Sequence, residues 1–209
     1  MSARRARFFR NNSCCHITTR RTPEQRLFES DEDYRFYMDL LKKYKYRFRI
    51  KIYGFCLMPD YVHIVLQCEK VRHLSTFMQI INQVYAFYFN TKYKRKGRLY
   101  RERFRSILLP EEQEVLACLK EIEFSPVHLQ IADSPANYPW SSCYMRIAGD
   151  AKEILDSLTL LGNVLGPEQN SVFRSKRRRI DSTVVPVLSH GQDLYQTVPR
   201  ETAPIHPPV

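Results

Sequence analysis

Short stretches of alternating hydrophobic and polar residues, separated by longer stretches with helical spacing, organise the first two thirds of the chain. Residues 14–19, Cys-Cys-His-Ile-Thr-Thr, predict a first strand, which Arg20, Arg21, Thr22 and Pro23 break. A helix is predicted over residues 31–46, opened by Ser30 as N-cap with Asp33 three residues on, a variant of the capping box. Tyr34, Tyr37, Met38, Leu41 and Tyr44 form its buried stripe. Residues 49–57 and 62–67 read as neighbouring strands, because Pro59 and Asp60 form a turn and Val62, Ile64 and Leu66 alternate with His63, Val65 and Gln67. A second helix follows over residues 74–92, with Leu74, Phe77, Met78, Ile81, Val84, Tyr85 and Tyr88 on one side. Residues 103–109 predict a fourth strand that carries Arg103 and Arg105 on one face. Pro110 ends it, and residues 111–124 form a third helix that packs through Val115, Leu119 and Ile122.

Strand, helix, strand, strand, helix, strand is the split βαβ order, so the pattern predicts a two-layer α+β domain with a four-stranded antiparallel sheet. Helices on one face of that sheet would leave the other available to a ligand. The character changes after residue 148. Ile154, Leu155, Leu158, Leu160, Leu161 and Leu165 predict a short helix or two, and Arg174, Lys176, Arg177, Arg178 and Arg179 form a basic cluster. Residues 181–209 hold scattered prolines and little periodicity and are expected to be disordered. The expected division is therefore a domain over 1–148, a helical basic extension over 149–180 and a tail over 181–209.

Charge changes the picture more than composition does. Against 33 Lys and Arg stand 22 Asp and Glu, a net charge of +11, which favours a phosphate-rich partner. Between residues 92 and 105 the cations Lys94, Arg95, Lys96, Arg98, Arg101, Arg103 and Arg105 interleave with Tyr93, Tyr100 and Phe104. Rings that stack on bases beside cations that meet phosphates suit single-stranded nucleic acid. The six cysteines are scattered with no C-x-x-C pair, so they read as reduced thiols of a cytoplasmic protein. No apolar run approaches the ~20 residues that span a bilayer, and basic residues 1–10 read as an exposed arm.

Five motifs in order carry a family resemblance: Cys15-His16-Ile17-Thr18, Leu57-Met58-Pro59, Phe77-Met78-Gln79 with Tyr88-Phe89-Asn90, Gly97-Arg98-Leu99-Tyr100, and Tyr138-Pro139-Trp140-Ser141-Ser142. Over roughly the first 150 residues the chain resembles the REP-associated tyrosine transposases, relatives of single-tyrosine insertion-sequence transposases. The resemblance implies a ferredoxin-like or palm-like core and an enzyme that cuts single-stranded DNA. That chemistry uses a His-hydrophobic-His metal pair and a tyrosine nucleophile. It also implies the leucine-rich, basic extension.

At the reactive positions the chain departs from the family. The metal pair falls on Tyr61 and His63, which share one strand face, so a phenol stands where a histidine is expected. A neutral phenol is a weak ligand for Mg²⁺ or Mn²⁺, and its ordinary pKa near 10 makes ionisation costly. Where the family carries Tyr-Ile-His-Leu-Asn-Pro-Val, this chain has Glu121-Ile122-Glu123-Phe124-Ser125-Pro126-Val127. Glu121 therefore takes the nucleophile position, and Ser125 takes that of an asparagine the resemblance suggests as a third metal ligand. His16, His73 and His128 read as structural or surface residues.

The expectation is a DNA-binding protein of this family that recognises single-stranded or hairpin DNA, with cleavage and joining lost and no catalytic residue intact. No cofactor is expected, with Mg²⁺ or Mn²⁺ required only for residual activity. Arg20, Arg21, Lys94, Arg95, Lys96, Arg98, Arg101, Arg103 and Arg105 are the candidate DNA contacts, with Lys176, Arg177, Arg178 and Arg179 as a second set. Two alternatives stay open. One is an active transposase with a metal site remodelled around His63, Asp60 and Glu121, or with Tyr85 or Tyr88 as nucleophile. The other is an RNA-binding or protein-interaction module.

Overall fold

A computed structural model describes residues 11–22, 26–160 and 163–164. The basic cluster from Arg174 to Arg179 and the predicted tail over 181–209 lie outside the described residues. Strand β1 is Ser13–Arg20, helix α1 Asp31–Arg47, β2 Ile50–Leu57, β3 Tyr61–Cys68, α2 Val71–Lys92, β4 Arg105–Leu109 and α3 Glu112–His128. The strands form one antiparallel sheet in the order β2-β3-β1-β4, the ferredoxin-like arrangement expected from the element order. The α1 N-terminus has the expected capping box. The Ser30 and Glu29 N–H groups both donate to the Asp33 carboxylate, at 3.0 and 2.9 Å.

Two apolar layers sandwich the sheet. Cys15, Ile17, Ile52, Phe55, Leu57, Val62, Ile64 and Leu66 face α1 and α2, meeting Tyr37, Leu41, Phe77, Ile81 and Tyr85 in the larger core. The other face carries Cys14, Tyr53, Cys56 and Val65, which pack against Val115, Cys118, Leu119 and Ile122 of α3. This corrects the expectation of a bare second face. The signal for α3 as a cover was its own apolar stripe, which needs a partner as much as those of α1 and α2 do.

A bulge in β2 makes the double burial possible. The β2–β3 register shifts between Ile52 and Gly54, so Ile50, Ile52, Phe55 and Leu57 serve the large core while Tyr53 and Cys56 serve the small one. Gly54 is needed there for space: a Cβ would lie 2.4 Å from Leu119 Cδ2 and 3.0 Å from Ser142 Oγ.

Residues 138–158 close the β2 edge. Leu57 N–H donates to the Trp140 carbonyl at 2.9 Å, Phe55 N–H to Ser142 Oγ at 3.0 Å and Ile52 N–H to Asp156 Oδ2 at 2.9 Å. Helix α4, Ser142–Ala148, brings Arg146 to the Tyr53 carbonyl and to the buried Glu123 carboxylate, which also accepts from the Ser142 hydroxyl. Asp156 pairs with Lys45 Nζ at 2.6 Å, and Lys45 also donates to the Ile154 carbonyl at 2.8 Å. Ile154 is fully buried in the large core, so the chain just past residue 148 is continuous with the domain's packing. These groups satisfy donors that an edge strand would otherwise offer to another chain.

Candidate nucleic-acid interface and the histidine pair

His63 lies in central strand β3, flanked by β1 and β2, and shares the α3-side face with Tyr61, Val65 and Gln67. Its neighbour across β1 is Thr18, and one residue pair further along the same face is His16. The two imidazoles meet: His16 Nε2 lies 2.7 Å from His63 Nδ1, close enough for one nitrogen to donate its hydrogen to the other. Thr18 Oγ1 sits 3.4 Å from His63 Nδ1, and the Tyr61 ring stands edge-on to His63 with centroids 4.8 Å apart. The sequence did not foresee this pair. His16 reads as a lone strand histidine until the β1–β3 register is known, and strand register is not a local property.

Burial makes both rings poor bases. Desolvation pushes His63 down to about 3, helped by His16 and Arg20, and pushes His16 down to about 4. The unfolded chain takes up protons below about 6.5 and the folded protein does not until the pH is far lower, so stability falls as pH drops through this interval and levels off below about 3. The loss is at most about 1.4 kcal/mol per pH unit for each histidine. Denaturant titrations between pH 7 and 5 should show this decline, and a His63→Gln variant should show a shallower one.

These positions offer few free donors to a divalent cation. Position 61 offers a phenol, His63 Nδ1 is engaged with His16, and Ser125 Oγ donates to the Glu121 carbonyl at 3.2 Å. Asp60, the carboxylate of the remodelled-site alternative, is held by Arg21 Nε at 2.9 Å, and Glu121 is exposed on α3. Among the described residues no three His, Cys, Asp or Glu side chains gather in a metal-binding group.

The two alternative tyrosine nucleophiles are also engaged. Tyr85 is fully buried, its hydroxyl donating to the Leu27 carbonyl, and burial drives its pKa far above the ordinary phenol range. Tyr88 stacks on Phe36 at 3.9 Å and donates to Asp33, beside Lys92. Burial works to raise Asp33, but bonds from Lys92, the Glu29 N–H, Tyr93 and the Ser30 N–H outweigh it and hold the carboxylate below its usual range. Both tyrosines serve the α1–α2 interface.

Of the candidate cations among the described residues, Arg20 and Arg95 are half-buried, and the others fall into two groups. Arg21 is tied to Asp60, and Arg105 to Glu102 at 2.7 Å. Lys94, Lys96, Arg98, Arg101 and Arg103 are exposed and join none of the ion pairs among the described residues. Backbone bonds from Thr22 N–H to the Leu99 carbonyl and from Arg101 N–H to the Arg20 carbonyl, each 3.2 Å, lay the segment beside the end of β1. Cations from two distant parts of the chain thus share one side of the domain. Arg103 precedes β4, which begins at Arg105, so the predicted strand is shorter than expected.

The fold has a counterpart in a solved transposase structure. A REP-associated tyrosine transposase bound to a REP hairpin superposes with a TM-score of 0.60 at 15% identity, over 71% of this chain and 86% of that one. A crystal structure of a transposase candidate from Deinococcus radiodurans R1 matches at 16% identity over 58% of this chain and 96% of that one, with a TM-score of 0.41. No curated protein sequence matches. Residues 10–116 match the family model described as transposase, IS200-like, and the chain belongs to that family. Among the described residues no helix is long and apolar enough to cross a membrane.

Proposed function

We propose that this member of the IS200-like transposase family binds single-stranded or hairpin DNA and no longer cuts or joins it. The observation that carries the reading is the state of His63, which bonds to His16 and stands beside a tyrosine where the resemblance calls for a second histidine. A transposase needs a ligated cation and a nucleophile together, and such parts act as a unit. Here a phenol, a glutamate and a serine occupy positions 61, 121 and 125. A carboxylate at 121 is no substitute for a tyrosine, because the mixed anhydride it would form with a phosphate hydrolyses instead of preserving the join.

Binding asks less of the site than cutting does. The solved transposase of similar fold holds a REP hairpin, and that ligand class is the one we assign here. The exposed cations from Lys94 to Arg103 supply phosphate contacts without any metal. The expected location is the cytoplasm. The test is a competition between a labelled DNA hairpin and two unlabelled competitors, the same hairpin and an unrelated structured RNA. The DNA hairpin should displace the probe at a concentration at least about tenfold lower than the RNA. Equal or better displacement by the RNA would replace the DNA reading with an RNA-binding one.

A further inference from the structure

The last two turns of α2 and the loop after it line a shallow, open depression of about 440 Å³. Phe87, Asn90, Thr91, Lys94, Arg95 and Lys96 line it. Helix α2 buries Phe77, Ile81, Tyr85 and Phe89 against the sheet, and Phe87 points the opposite way with 75% of its surface exposed. A single exposed apolar residue needs no explanation. This one shares its depression with three cations and no acid.

The loop is held in shape. Lys94 has a φ of 51° and Gly97 one of 100°, the Arg95 N–H donates to the Asn90 carbonyl at 2.8 Å, and Asn90 Nδ2 donates to the Gly97 carbonyl at 3.0 Å. The Arg95 guanidinium lies 5.6 Å from the Phe89 ring centre. A loop held by these bonds sets the exposed Lys94 and Lys96 around an exposed ring, which matches a ligand with a flat apolar face and anionic neighbours. From this depression the chain runs on through Arg98, Arg101 and Arg103, so a strand seated here has a cationic path towards the end of β1.

We propose that the depression receives an unpaired base of a DNA strand, stacked on Phe87, with the flanking phosphates at Lys94 and Lys96. The inference rests on the DNA-binding reading above and adds a site to it. A duplex hides the faces of its bases, so a stacking site of this kind discriminates for unpaired nucleotides.

Fluorescence anisotropy with two labelled probes, a single-stranded oligonucleotide and a blunt duplex of the same length, tests the proposal. Phe87→Ala should weaken single-strand binding about tenfold and leave duplex binding within about twofold, with an unchanged circular dichroism spectrum. Phe87→Trp should keep single-strand affinity, and its indole emission should be quenched by the strand. If Phe87→Ala weakens both probes equally, or neither, the stacking site is wrong. Lys94→Glu with Lys96→Glu then decides what survives: weaker binding of both probes leaves the DNA reading standing without the base site. Binding of neither probe by the wild-type protein would overturn the DNA reading and this inference together.

Discussion

Replacing Asp156 with alanine is expected to lower the unfolding free energy by about 3–5 kcal/mol. The Lys45 side chain is 2% exposed and its Nζ is held by Asp156 Oδ2 at 2.6 Å and the Ile154 carbonyl at 2.8 Å, so the variant leaves a buried ammonium without its counter-charge. The same carboxylate accepts the Ile52 N–H, and losing that bond orphans a donor on the β2 edge. Urea denaturation followed by circular dichroism measures the change. Adding Lys45→Met to Asp156→Ala should recover part of it, because the buried charge is gone. Glu69→Ala, which breaks the Arg49–Glu69 pair at 3.2 Å, should cost less than about 1 kcal/mol since both partners are exposed to solvent.

DNA affinity should fall steeply with salt. If Lys94, Lys96, Arg98, Arg101 and Arg103 each neutralise one phosphate of a single strand, log K against log salt should have a slope near −3.5, about a hundredfold loss between 50 and 200 mM. Arg103→Ala should flatten the slope by roughly 0.7 and weaken binding to all sequences alike. Arg105→Ala should have a smaller effect, because Glu102 already competes for its guanidinium at 2.7 Å. A slope near zero with measurable affinity would place binding elsewhere, outside phosphate contacts.

Local pattern carried most of the fold into view. The capping box at Ser30 and Asp33, the turn at Pro59 and Asp60, and the stripes of α1 and α2 each concern residues a few positions apart, and each lies where the periodicity placed it. The bulge at Tyr53 and Gly54 was hidden, because an all-apolar run such as Ile-Tyr-Gly-Phe-Cys-Leu has no alternation to break. The candidate site was legible as a set of residue types and not as an arrangement. Tyr61 and His63 share a face by parity alone, whereas the partner of His63 came from β1, forty-seven residues earlier. Asp156 closing the β2 edge is more distant still, 104 residues from Ile52. Charge runs gave the cations but not their competitors: Asp60 for Arg21 and Glu102 for Arg105 emerge only from the folded geometry.

Binding and cutting can be read from the same reaction. Labelled hairpin and single-stranded oligonucleotides are incubated with the protein in Mg²⁺ and in Mn²⁺, and each reaction is divided between a native gel and a denaturing gel. A protein that binds without cutting gives a shifted complex on the native gel and, on the denaturing gel, intact DNA with no protein-linked species. A denaturant-stable 5′-phosphotyrosine adduct, or cleavage products that depend on the metal, would contradict it.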